Sequence, residues 1–176
     1  CRNIYGADDR RRSRHATADA LDIAGFVLSA TSTTLAEASG SQAFQVRLRS
    51  KPQGGVSIAF ASSDATIASV APPVLVFTAE TWSANQTVTI TAVPDSRDTS
   101  DRAASIVPTV TSTDPAYHNR TMDPFAITVT DDDDAGVTTA VPAGSLEVNE
   151  DGSTAIFTVR LSSQPAADID RKSTRL

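Results

Sequence analysis

The residues most capable of chemistry are carboxylates, and the densest group of them is Asp131-Asp132-Asp133-Asp134, followed at once by Ala135-Gly136. Four adjacent carboxylates repel one another at neutral pH, so such a run either stays solvated in a loop or is held together by a cation. A second acidic group, Asp95, Asp98 and Asp101, lies in the charged stretch from Pro94 to Arg102. Asp98 and Asp101 resemble an acid and base pair for glycoside hydrolysis, but that chemistry needs two held groups facing a substrate cleft. A charged loop on a small domain offers none. Other catalytic sets are missing, since His15 and His118 are the only histidines and no Ser or Cys sits in a nucleophile pattern such as G-x-S-x-G. The expectation is a protein that is not an enzyme. Asn85-Gln86-Thr87 has the form of a glycosylation acceptor, but Thr87 reads better as part of a strand.

The charge balance narrows the partners. Residues 1–15 hold five Arg against Asp8 and Asp9, and residues 170–176 hold three basic residues against Asp170; these ends contribute +3 and +2 to a total of −6, so residues 16–169 carry −11. An acidic body argues against nucleic acid, whose binding depends on Lys and Arg meeting phosphates, and against an anionic membrane surface. No run approaches the 18 or so apolar residues of a membrane span, so no direct membrane insertion is expected. Cys1 is the only cysteine, which leaves no internal disulfide and no thiolate metal cluster. Residues 1–23, with Arg10-Arg11-Arg12 and no periodicity, read as a disordered segment or linker. Residues 170–176 look like a translated sequencing adapter and are set aside as non-native.

Positioning the carboxylates falls to short strands. From Ala24 onward, apolar alternations are separated by Gly, Pro, Ser and Asp, which is strand punctuation. Gly25 to Thr33 opens the unit. Gln42 to Arg49 then puts Phe44, Val46 and Leu48 on one face and Gln45, Arg47 and Arg49 on the other, as a half-buried strand requires. Val56, Ile58 and Phe60 form the next row, then Ile67 to Val70, then Leu75 and Phe77. Val88, Ile90 and Ala92 alternate with threonines, and Ile106, Pro108 and Val110, then Phe125, Ile127 and Val129, complete the set. Pro108 suggests an edge strand, because proline cannot donate to a ladder. Trp82 reads as a plug closing one end of the core; the alternative is a ligand platform. About seven strands at this spacing predict an all-β, antiparallel sandwich.

After the aspartates the pattern restarts. Ala24-Gly25 corresponds to Ala135-Gly136, Leu35 to Leu146, Glu37 to Glu150, FQVRL from Phe44 to FTVRL from Phe157, and Pro52 to Pro165. The offset is 111 residues at the start and 113 at the strand, and an insertion of two residues preserves a strand's facing where an insertion of one would reverse it. The expected organisation is one complete module, 24–134, followed by the start of a second, truncated copy, 135–169.

At these residues the chain resembles a family. The acidic residue before a Gly-Ser turn, the FQVRL strand, the strand pair within Phe77 to Val93 with an acidic loop after it, and the terminal ITVTDDDD are similar to Calx-β domains and related immunoglobulin-like tandem repeats of large bacterial cell-surface, adhesin-type proteins. The resemblance implies calcium held at one end of the sandwich by Glu37, Asp95, Asp98, Asp131, Asp132 and Asp133. Pro94 stands where the family often has another Asp, and the family's Asp-Tyr in mid-domain is absent, so fewer carboxylates imply weaker binding or none. Taken singly, each group favours the plainer reading: Glu37 as a surface turn residue, the acidic loop as solvated, and the aspartate run as a solubilising linker; the calcium reading rests on the groups together with the resemblance. Two functions follow for an extracellular or cell-surface protein. One is a structural spacer whose partners are neighbouring repeats of the same chain, stiffened by calcium. The other is a carbohydrate- or protein-binding module that takes a surface glycan or protein ligand, with Trp82 and Tyr117 as an aromatic platform.

Overall fold

The computed structural model describes residues 23–141, 150–152 and 154–170; the segment before residue 23, Leu146 as the counterpart of Leu35, and the tail after Asp170 lie outside the described residues. Nine strands form the first unit: β1 (Phe26–Leu28), β2 (Ser32–Ala36), β3 (Ser41–Leu48), β4 (Val56–Ser62), β5 (Ala68–Ala71), β6 (Val74–Phe77), β7 (Gln86–Ala92), β8 (Arg102–Ser112) and β9 (Phe125–Thr130). One sheet has the order β1-β3-β7-β5 and the other β2-β9-β8-β4-β6, which makes the expected all-β sandwich.

Period-two alternation is what closes it. Phe44, Val46, Leu48, Val88 and Ile90 point inward from the first sheet, and Val56, Ile58, Phe60, Leu75, Phe77, Ile106, Phe125, Ile127 and Val129 from the second; all are buried. Phe44 ties the two sheets together, stacking on Phe125 with ring centroids 4.7 Å apart and meeting Phe60 edge-on at 6.1 Å.

Three expectations need correction. The opening stretch divides into two strands, because the chain leaves the first sheet after Leu28 and enters the second at Ser32, and the unit has nine strands where about seven were expected. The pairing is not wholly antiparallel either: β2 runs parallel to β9, with Ser32 opposite Ala126 and Ala36 opposite Thr130. Pro108, finally, lies on β8, an interior strand between β9 and β4. β9 covers only Arg102 to Ile106 of this 11-residue strand, so beyond Ile106 one side of β8 is open. Phe60, opposite Pro108, sends its own N–H away from β8 to Pro73 O, so the pair exchanges no ladder bond and the missing donor of Pro108 faces the open side. The strand is interior, but its proline half is locally an edge.

Residues 131–136 have no regular structure, and after them β10 (Val137–Ala140) pairs with β11 (Thr158–Leu161) in a separate antiparallel pair. Its register places Val137 opposite Leu161. β1 and β3 place Phe26 opposite Leu48, the equivalent positions by the offsets 111 and 113. The flanking bond is also equivalent: Arg49 N–H donates to Gly25 O at 2.8 Å and Ser162 N–H to Gly136 O at 2.9 Å.

Candidate cation site

The strand directions gather acidic residues at one pole. β2 ends at Ala36 beside Thr130, the last residue of β9, and Glu37 N–H extends this pairing to Thr130 O at 3.0 Å. Glu37 is thereby drawn in beside the start of the aspartate run. The turn after it closes with Gly40 N–H on Ala36 O at 2.7 Å, and a Cβ on Gly40 would overlap the Ala36 backbone, so this tight return needs glycine.

Glu37 is 1% exposed. Its Oε1 accepts the Asp95 N–H and Nη2 of Arg102, the latter at 2.9 Å, while Arg102 Nη1 reaches Asp95 Oδ2 at 2.9 Å. Glu37 Oε2 is buried and has no hydrogen-bond partner among the described residues, and the same is true of Asp131 Oδ1. The other oxygen of Asp131 accepts the Thr99 N–H at 2.9 Å. One carboxylate oxygen each from Glu37, Asp131 and Asp133 lie within 4.8 Å of one another. Asp133 has its carboxyl pushed above the usual aspartate range, first by loss of solvation and then by the charges of Asp131, Asp132, Glu37 and Asp95.

The six residues implied by resemblance therefore divide. Glu37, Asp131 and Asp133 converge. Asp95 adjoins them, but its side chain is engaged by Arg102 and by the Arg97 N–H. Asp98 turns to the Ala135 N–H at 2.8 Å, and Asp132 is exposed outside the group. The converging set is chemically coherent for a hard cation, with carboxylate oxygens only and no His or Cys. Two ligands at the usual calcium distance of about 2.4 Å from one ion stand at most about 4.8 Å apart, a limit this cluster meets.

Arg102 is the residue that sequence reasoning missed. It stood at the end of a charged loop, and only the register of β8 against β9, with Arg102 opposite Val129, shows that a sheet delivers it to Glu37.

The opposite pole removes the aromatic platform. Tyr117 is fully buried, donating its hydroxyl to Ser50 O at 2.7 Å and accepting the Ser50 N–H at 3.2 Å, with Phe26 edge-on at 6.0 Å. It presents no face to a sugar. Trp82 is half-buried against the core, and its carbonyl accepts the Leu48 N–H at 2.9 Å, as a plug would.

The profile of a family described as Extensin-like protein C-terminus matches residues 1–54, which is under a third of the chain and ends in the turn after β3. No curated protein matches. Among solved structures, the calcium binding domain CBD12 of CALX1.1 is similar at 13% identity over 79% of this chain and 70% of that one, with a TM-score of 0.50. The PapD-like domain 7 of human CEP192 matches at 13% identity over 62% and 86%, with a TM-score of 0.47. The periplasmic chaperone SfaE matches at 12% identity over 60% of this chain and 56% of that one, with a TM-score of 0.44. At 13% identity the likeness to CBD12 is one of fold, an immunoglobulin-like β-sandwich.

Proposed function

We propose that this chain is a structural spacer from an extracellular or cell-surface repeat protein, stiffened by calcium where one module passes into the next. The carrying observation is the buried pair of unpartnered carboxylate oxygens, Glu37 Oε2 and Asp131 Oδ1, converging with Asp133. A buried carboxylate is costly unless its lone pairs are engaged. Calcium, when bound, would engage the open oxygens of Glu37 and Asp131 and bring positive charge beside Asp133. Glu37 belongs to the end of the sandwich, whereas Asp131 and Asp133 belong to the segment leaving it. Holding these residues together fixes the direction in which the chain departs. The equivalent registers of β1 with β3 and of β10 with β11 support reading residues from 135 onward as the beginning of a second copy, so that the joint lies between neighbouring modules.

Affinity should be weak, on the order of 10⁻⁴ to 10⁻³ M as in extracellular modules. Millimolar calcium should raise the melting temperature by mass action, and magnesium, which keeps its waters and demands octahedral geometry, should do much less. Replacing Asp131, Asp132 and Asp133 together by Asn should abolish the calcium response. Absence of any calcium effect on melting or heat of binding up to about 10 mM, well above that range, would leave the aspartate run a solvated hinge and defeat the proposal.

A further inference from the structure

The acidic pole already contains a cation of its own. Arg102 spreads its two terminal nitrogens over two carboxylates, Nη2 on Glu37 Oε1 and Nη1 on Asp95 Oδ2, each at 2.9 Å. Asp95 is held for this contact from both ends: its backbone N–H lies on Glu37 Oε1, and its Oδ1 accepts the Arg97 N–H at 2.8 Å. The guanidinium comes from the first residue of β8, whose backbone is paired with β9, so it is placed by a sheet rather than by the loop before it. On this half of the pole the terminal nitrogens are engaged, and only Arg102 Nε is buried without a hydrogen-bond partner among the described residues. The other half, toward Asp131 and Asp133, retains the two unpartnered oxygens.

We propose that Arg102 is a resident cation standing where Glu37 and Asp95 would otherwise share a divalent ion, so that the pole takes one calcium rather than two and remains folded with none. The single-calcium part rests on the function proposed above; the role of Arg102 does not. A planar fork spans two carboxylates in a way that a point charge on a flexible stem cannot. Glu37, buried to 1% exposure, is therefore never without a counter-charge, whatever the ion concentration.

The test is calcium titration of the native chain, Arg102→Gln and Arg102→Lys by calorimetry and equilibrium dialysis, with melting curves in chelator and in calcium. Arg97→Gln serves as the control, since it removes the same charge from an exposed neighbour in the loop. The native chain should bind one ion. Arg102→Gln should bind two, or one at least tenfold more tightly, should melt several degrees lower in chelator, and should recover in calcium; Arg97→Gln should match the native chain. Binding by Arg102→Gln but not by the native chain would sustain the resident cation and remove calcium from the native function. Equal stoichiometry and affinity in the two would overturn the role of Arg102 and leave the spacer reading intact, and no binding by either would overturn both. Should Arg102→Gln fail to fold even in calcium, Arg102→Lys decides: it keeps the charge without the fork and should bind calcium several-fold more tightly than the native chain, unchanged affinity being the overturning result.

Discussion

Tyr117 and Ser50 show how much a single hydroxyl can hold. The phenol satisfies both the N–H and the C=O of a serine that is 4% exposed, so Tyr117→Phe removes one atom and strands two buried backbone groups. The expected loss is about 1–3 kcal/mol, seen as a lower urea midpoint with unchanged slope; a neutral result would mean that water reaches Ser50. The β3 alternation makes a sharper pair. Val46 has no exposure, and Val46→Asp should unfold the module by burying an unpaired charge, at a cost of several kcal/mol. Arg47→Ser should change stability by no more than about 0.5 kcal/mol. Asp133 and Asp64 should titrate in opposite senses. The Asp133 carboxyl is raised, so the native state holds its proton more firmly than the unfolded chain, and the resulting stability is present at low pH and lost as pH rises through the native value. Without calcium, Asp133→Asn should therefore melt higher than the native chain at pH 7, the gap closing on acidification. Asp64 is lowered by hydrogen bonds from the Thr66 side chain and backbone; Asp64→Asn should melt lower at pH 7, with the gap closing as pH falls below the usual aspartate range.

At the scale of elements, β10 and β11 contrast with everything before them. Among the described residues these strands pair with each other alone, and Val137 and Val159 are 63% and 52% exposed where the matching Phe26 and Val46 are half-buried and buried. Two strands without a covered face are marginal in water. Their amides should exchange with deuterium orders of magnitude faster than those of β3, β7 and β8, and comparable protection would mean that something covers them. The strands of the sandwich were legible in the sequence because period-two alternation is a local signal, and Phe44, Val46 and Leu48 announce their face unaided. Which strands are neighbours is not local. Pro108 pointed to an edge because the sequence does not say that β9 is shorter than β8. The acidic pole was legible in its carboxylates but not in its wiring: Asp95, Asp98 and Asp131 looked alike as loop aspartates, and only the folded backbone turns one to Arg102, one to Ala135 and one toward Glu37.

The whole molecule has two unlike ends. At one, Tyr117, Trp82 and Phe26 seal the core; at the other, carboxylate oxygens of Glu37, Asp131 and Asp133 converge within 4.8 Å of one another. In a chain extended by a complete second module, calcium should narrow the distribution of interdomain angles measured by small-angle scattering, and the triple Asn variant should not respond. The parallel pairing of β2 with β9 bears on a different property. β2 follows the entry of the chain at one pole and β9 leads directly to its exit at the other, joined by a register from Ser32–Ala126 to Ala36–Thr130. Tension applied to the two ends pulls these strands past each other along their own axes. The bonds between them then share the load and must fail together, whereas a hairpin peeled from its end yields one bond at a time. The sandwich should accordingly resist stretching far better than its modest size suggests, with β2 and β9 as the clamp that gives way first.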